Sequence, residues 1–187
     1  MHFKGGIHLN IVSINPDIMW SKDLFLRQKS RDLKKEEVLN DDFKKIVDYM
    51  FRSLYENPIG VGLAAPQVGL MIKLVVIDIK RNGKNPLVLI NPTYSPVGDE
   101  IIDSHETCLS FDQKQGTVRR YKKIRVYAKN TKFEDIEFET DTFLSAVCQH
   151  EIDHLNGIVY VDNTNELSWA KSYNVTLAEK AISQLYV

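Results

Sequence analysis

The segment His150-Glu151-Ile152-Asp153-His154 constrains this 187-residue chain more than any other. On a helix, histidines at i and i+4 stand one turn apart on the same face, so both rings can reach a single ion. The surrounding residues ask for that helix. Phe143, Ala146, Val147, His150 and His154 form one stripe at helical spacing, and Gly157 follows as a C′ residue. The pattern predicts a helix from about Thr142 to Asn156, with both histidines on the face it would bury. Buried imidazoles need partners, which a shared metal supplies. Two ligands leave a metal under-coordinated, so a third must come from elsewhere in the chain. Glu151 adjoins the first histidine, close enough to handle the proton of an activated water, as in a metal-dependent hydrolase. The five-residue pattern alone is loose and is shared with many metallopeptidases.

The rest of the chain reads as a scaffold for that helix. Phe43, Ile46, Val47, Met50, Phe51 and Leu54 predict an amphipathic helix over residues 41–55, with Asn40 or Asp41 as its N-cap and a stop before Pro58. Short β-branched runs at 72–79 and 86–92 flank an Asn82-Gly83 turn. Further strands are expected at 94–102, 117–128 and 135–139, and a C-terminal helix over 176–185. With hairpins local and strands clustered between helices, the class is α+β, with largely antiparallel sheets packed around a central metal-binding helix. Residues 21–40 are strongly charged and read as a loop or short helix outside the core. We expect one domain over 1–187, with an atypical region 1–40, a core 41–162 and a helical tail 163–187.

Composition narrows the function. Hydrophobic residues make up 43%, enough for a core without disulfides, and a net charge of −1 gives no electrostatic basis for nucleic-acid or membrane binding. The basic run Arg119–Lys123 reads as a solvated strand edge. No apolar stretch approaches the ~20 residues that span a bilayer, and the N-terminus lacks the pattern of a secretory signal. With only two cysteines, Cys108 and Cys148, the expected compartment is the reducing cytoplasm.

Three separated segments then carry a family resemblance. Gly60-Val61-Gly62-Leu63-Ala64-Ala65-Pro66-Gln67 resembles the GxGLAAxQ motif of peptide deformylases, Glu106-Thr107-Cys108-Leu109-Ser110 their EGCLS motif, and Gln149–His154 their QHExDH motif. Order and spacing agree as well. The resemblance implies removal of the formyl group from the N-terminal formylmethionine of nascent polypeptides, at the ribosome and by a monomer. It implies Cys108 as the third metal ligand with His150 and His154. It implies Fe2+ as the resident ion, replaceable by Zn2+, Ni2+ or Co2+, where ligand type alone would suggest zinc. Glu151 becomes the general base and then acid, and Gln67 and the Leu109 backbone N–H become oxyanion donors. Val61 and Gly62 would meet an extended substrate, with Gly62, Phe143, Ala146, Val147 and His150 around the methionine side chain. Glu106 and Arg120 match a supporting ion pair. Cys148, two residues from His150, projects from another side of the helix and reads as a small buried hydrophobe.

The chain also departs from the family pattern. Thr107 stands in place of a glycine, where a positive φ would strain it and an extended backbone would suit it. Gln115 and Arg119 stand where family members carry arginine and proline. Two other readings remain at this level. A metallopeptidase would need a third ligand such as Glu166 or Glu179, and cleavage of internal peptide bonds would reveal it. A non-catalytic deformylase-like protein that binds N-terminal peptides or metal would release no formate.

Overall fold

One helix start and one helix stop explain much of the architecture. The computed structural model describes residues 25–164 and the backbone of 167–169. A one-turn helix, α1 (Lys35–Val38), leads into α2 (Asp41–Glu56), which starts where Asn40 Oδ1 accepts the Asp42 N–H at 3.0 Å. Phe43, Val47, Met50 and Leu54 form its buried stripe. The chemistry-bearing helix, α3 (Thr142–Leu155), ends in paired bonds from Gly157 N to His154 O and from Ile158 N to Asp153 O. That closure needs a left-handed residue, and Gly157 has φ +76°. The expected C-terminal helix over 176–185 lies outside the described residues.

Eight strands are seen among the described residues: β1 (Gly62–Ala64), β2 (Leu74–Ile77), β3 (Leu87–Pro96), β4 (Ile101–Cys108), β5 (Phe111–Tyr121), β6 (Lys123–Lys129), β7 (Asp135–Asp141) and β8 (Leu167–Trp169). They build an antiparallel five-stranded sheet, β1-β2-β3-β6-β7, and an antiparallel three-stranded sheet, β4-β5-β8. In β2 all four residues are buried. Leu74 and Val76 join the core under α2, while Val75 and Ile77 join the core that includes Cys148 and Leu155 of α3. Continuous apolarity is what a strand covered on both faces requires. Helix α3 touches strands of both sheets and buries ten consecutive-turn positions between Ser145 and Leu155. The α+β class with antiparallel sheets around α3 is therefore the observed one.

Four expectations shift in detail. The run 117–128 is two strands in different sheets, because α3 grips the chain between them. Ser145 Oγ and Gln149 Nε2 donate to Tyr121 O at 2.9 and 2.8 Å, and Thr142 N donates to Lys122 O at 2.8 Å. Likewise 94–102 is not one strand. β3 continues past a register shift at Asn91 (φ +50°) to Pro96, and a turn through Gly98 (φ +80°) precedes β4. The segment before α2 is less peripheral than its charge implies: Leu26, Leu33 and Val38 are buried, and Ser30 N donates to Leu155 O. Within Arg119–Lys123, Arg120 is buried on the central strand of its sheet, not solvated.

Candidate metal centre and active site

Strand alternation and helix periodicity bring three donors together. Along β4 the residues Ile102, Ser104, Glu106 and Cys108 share the inward face, so Cys108 ends the strand pointing at α3. Its sulfur and one ring nitrogen each from His150 and His154 lie within 4.8 Å of one another, and all three residues are buried. Cys108 Sγ is 3.3 Å from His154 Nε2. His150 Nδ1 is 2.8 Å from Glu106 Oε2, which fixes the ring and turns Nε2 toward the cluster. His154 Nδ1 is buried with no hydrogen-bond partner. One thiolate and two imidazoles suit a divalent transition metal, and three protein ligands leave one position open, as catalytic centres do.

The surroundings push the two histidines in opposite directions. Burial alone would lower His150, yet its bonds with Cys108 and Glu106 outweigh burial and hold it well above the ordinary imidazole range. Burial, with His150 and Arg120 nearby, pushes His154 well below that range and keeps it a neutral ligand. Burial also lifts the Glu151 carboxyl to about 7. Its Oε2 is buried without a hydrogen-bond partner, and its Oε1 would lie 2.6 Å from a Cβ added to Gly62. A carboxyl poised near neutrality beside a metal cluster is suited to taking and returning a proton.

A buried ion-pair chain stands behind the ligands. Arg120 donates to both oxygens of Glu106 at 2.8 and 2.9 Å and on its other side to Asp153 Oδ2. Burial would raise Glu106, but its bonds to Arg120 and His150 win and hold it down at about 2. On the opposite wall, the 3-10 turn Ala65–Val68 carries Gln67. Its Oε1 accepts the Ala64 N–H at 2.8 Å, which aims Nε2 at Cys108 Sγ and Ser110 Oγ, both at 3.4 Å.

These groups open onto a cavity of about 230 Å³. Val61, Gly62, Phe143, Ala146, Val147 and Leu109 all line it, together with Gln67, Cys108, His150 and Glu151. Every candidate side chain named above except Arg120 and His154 thus borders one space, and those two support it from behind. Thr107 lies in extended β4, exposed at the cavity wall and facing Gln115 across the strand pair. The strained alternative for Thr107 does not arise; Thr107 and Gln115 form one cross-strand pair, and the third departure, Arg119, pairs with Asp103.

The family model for polypeptide deformylase matches residues 10–169. The chain belongs to the peptide deformylase family. It is 44% identical over 145 residues to peptide deformylase 1 of Clostridium acetobutylicum, covering 77% of this chain and 91% of that protein. Peptide deformylase 3 of Shewanella oneidensis is 35% identical over 151 residues, covering 81% and 90%. Among solved structures, the peptide deformylase of Thermotoga maritima superposes with a TM-score of 0.73 at 32% identity, covering 86% of this chain and 100% of that one. As a peptide deformylase the chain is a hydrolase, of a metal-dependent family, acting to release the formyl group from formylmethionine at polypeptide N-termini.

Sequence reasoning missed several residues of this deformylase site. Asp153, on the same helix as the ligands, joins Arg120 to complete the ion-pair chain; a carboxylate inside a buried stripe was the available signal. Ser104 and His105 line the cavity, and the period-2 register with Cys108 could have found Ser104. Gln149 clamps Tyr121 through both its amide atoms, at 3.0 and 2.8 Å, a tertiary contact with no local signal.

Proposed function

We propose that Cys108, His150 and His154 hold a single divalent ion, Fe2+ in the cell, with Zn2+, Ni2+ or Co2+ able to substitute. When bound, the ion supplies Lewis-acid activation of the attacking water and of the formyl oxygen. The chain's own groups do the rest. Glu151 takes the proton from the water as it attacks the formyl carbon, then delivers it to the leaving amine, so formate and a free N-terminal methionine result. Charge grows on the formyl oxygen as the carbon becomes tetrahedral. Gln67 Nε2, already aimed by the Ala64 bond, and the Leu109 backbone N–H are the donors for it. Glu106 orients His150, and Arg120 orients Glu106, so this pair acts through the ligands without touching substrate.

Substrate recognition follows from two sheet edges. β1 ends the five-stranded sheet and β4 ends the three-stranded one, and residues of both border the cavity. An extended peptide fits there as an added strand beside Val61 and Gly62. The methionine side chain then enters between Phe143, Ala146 and Val147. Among the described residues no helix is long and apolar enough to cross a membrane. We read the protein as a cytoplasmic monomer of one domain that meets its substrates as they leave the ribosome.

The observation that carries this reading is the convergence of Glu151, Gln67, Cys108 and His150 on one cavity, with His154 completing the buried donor cluster behind its wall. Glu166 and Glu179, the ligands a metallopeptidase reading would call on, lie outside the described residues. Incubation of the iron-loaded protein with formyl-Met-Ala-Ser and with an N-acetylated peptide, which carries no formyl group, separates the readings. Formate from the first and no cleavage of the second supports the proposal; cleavage of the second alone overturns it.

A further inference from the structure

Arg81 lies in the turn between β2 and β3, outside every motif, yet its guanidinium reaches the wall of the cavity. It donates through Nη1 to Gly60 O, and through Nη2 to Asn57 O at 2.7 Å and Tyr55 O at 3.4 Å. These carbonyls belong to the end of α2 and the link to β1, where no sheet partner exists to hold the backbone. The same link is held from within by Asn57 Oδ1, which accepts the Ile59 and Gly60 N–H groups, each at 3.1 Å. Asp78 N then donates to Val61 O at 2.8 Å, so the link is tied to the β2–β3 turn at two successive carbonyls.

Two further observations mark Arg81 as specialised. Its φ is +50°, in the left-handed region that an arginine avoids and the neighbouring Asn82 and Gly83 tolerate more easily. Such a conformation persists where the surroundings fix it, and here the carbonyl bonds do so. Gly60 is also a packing surface: a Cβ added there would come within 2.9 Å of Leu109 Cδ1. The side chain of Leu109 therefore rests on the backbone that Arg81 grips.

We infer that Arg81 is a positioning residue for peptide binding: it fixes the Gly60–Val61 backbone against which an extended substrate lies, and braces Leu109 behind it. This rests on the deformylase reading above, in which that backbone meets the peptide. Arg81 touches none of the ligand side chains, so its removal leaves the metal in place.

The test compares wild type with Arg81→Met and Arg81→Lys, all iron-loaded, on formyl-Met-Ala-Ser and on formyl-Met amide, with amide hydrogen exchange read in parallel. In Arg81→Met, KM for the tripeptide should rise about tenfold, the loss expected of one or two net hydrogen bonds. The change on formyl-Met amide should be under about threefold, because that ligand has little backbone to lay along the link. Exchange at Gly60, Val61 and Leu109 should speed up while α3 stays protected, with Arg81→Lys between the two. Equal losses on both substrates, or unchanged exchange at those amides, overturn the inference. Should Arg81→Met not fold, the same comparison is made with Arg81→Lys. An inactive wild type would strike at the deformylase reading instead, and the exchange arm would still judge the grip of Arg81.

Discussion

Gly62 lies directly against the carboxylate of Glu151, so close that a Cβ on Gly62 would stand 2.6 Å from Oε1 and 3.0 Å from Cδ. The glycine of β1 thus sets where the proposed base sits. Gly62→Ala forces the carboxylate to move, and a displacement of about 1 Å in a catalytic group can cost roughly a hundredfold in rate. We expect kcat on formyl-Met-Ala-Ser to fall by about that factor with metal content unchanged. Metal analysis alongside steady-state kinetics checks it, and an alanine variant with wild-type kcat would refute the packing argument.

Gln67 has two jobs, divided between its two amide atoms. Oε1 satisfies Ala64 N, and Nε2 points to Cys108 Sγ, where we propose it meets the oxyanion. Replacing it with leucine removes both. The lost donor should lower kcat by about 10² to 10³ with little change in KM. The buried Ala64 N–H left unsatisfied should cost about 1–3 kcal/mol of stability. Kinetics and thermal unfolding measured on one preparation report the two losses separately.

The Glu106–Arg120–Asp153 chain predicts an acid limb of stability. Glu106 is held at about 2 in the folded protein against an ordinary 4.5. Its contribution is therefore fully present above pH ~4.5 and is lost as pH falls through about 2. That contribution is on the order of 3 kcal/mol. In Glu106→Gln this component disappears, so Tm should fall less steeply between pH 4.5 and 2 than in wild type. Arg120→Met strands two buried carboxylates and should destabilise by about 3–5 kcal/mol at neutral pH. Identical pH slopes for wild type and Glu106→Gln would remove this assignment.

How much of this was readable beforehand depended on whether the signal was local. α2 and α3 were legible because caps, apolar period and the Gly157 stop sit within each segment. Cys108, His150 and His154, proposed here as ligands, and Glu151 and Gln67 were picked out by motifs, and the fold brings them together. What decided the rest was tertiary. The break between β5 and β6 falls in an uninterrupted strand-like run, and only the bonds from Ser145 and Gln149 to Tyr121 place it. Asp153 had no assigned role, and only Arg120, 33 residues away, gives it one. Leu26 and Leu33 were hidden in a charged segment, and distant partners bury them: Leu26 joins the cluster of Phe111 and Tyr160, and Leu33 the core under α2.

The two cysteines should behave oppositely. Cys148 packs among Ala64, Val75 and Leu89, and burial, aided by the charge of Glu151, pushes its thiol up to about 12. It is an apolar filler, so Cys148→Ala should keep full metal content and lose only about 1 kcal/mol for the small cavity. Cys108→Ala should lose the metal. Metal stoichiometry after gel filtration distinguishes them, and loss of metal from Cys148→Ala would contradict the placement.

The most direct test of the whole account is formate release from formyl-Met-Ala-Ser, measured anaerobically with iron or nickel supplied, for wild type and Glu151→Ala. The account predicts rapid release by wild type and a loss of at least about a hundredfold in the variant, with equal metal content in both. Fully metallated wild type that releases no formate, or a variant that keeps its rate, would contradict it.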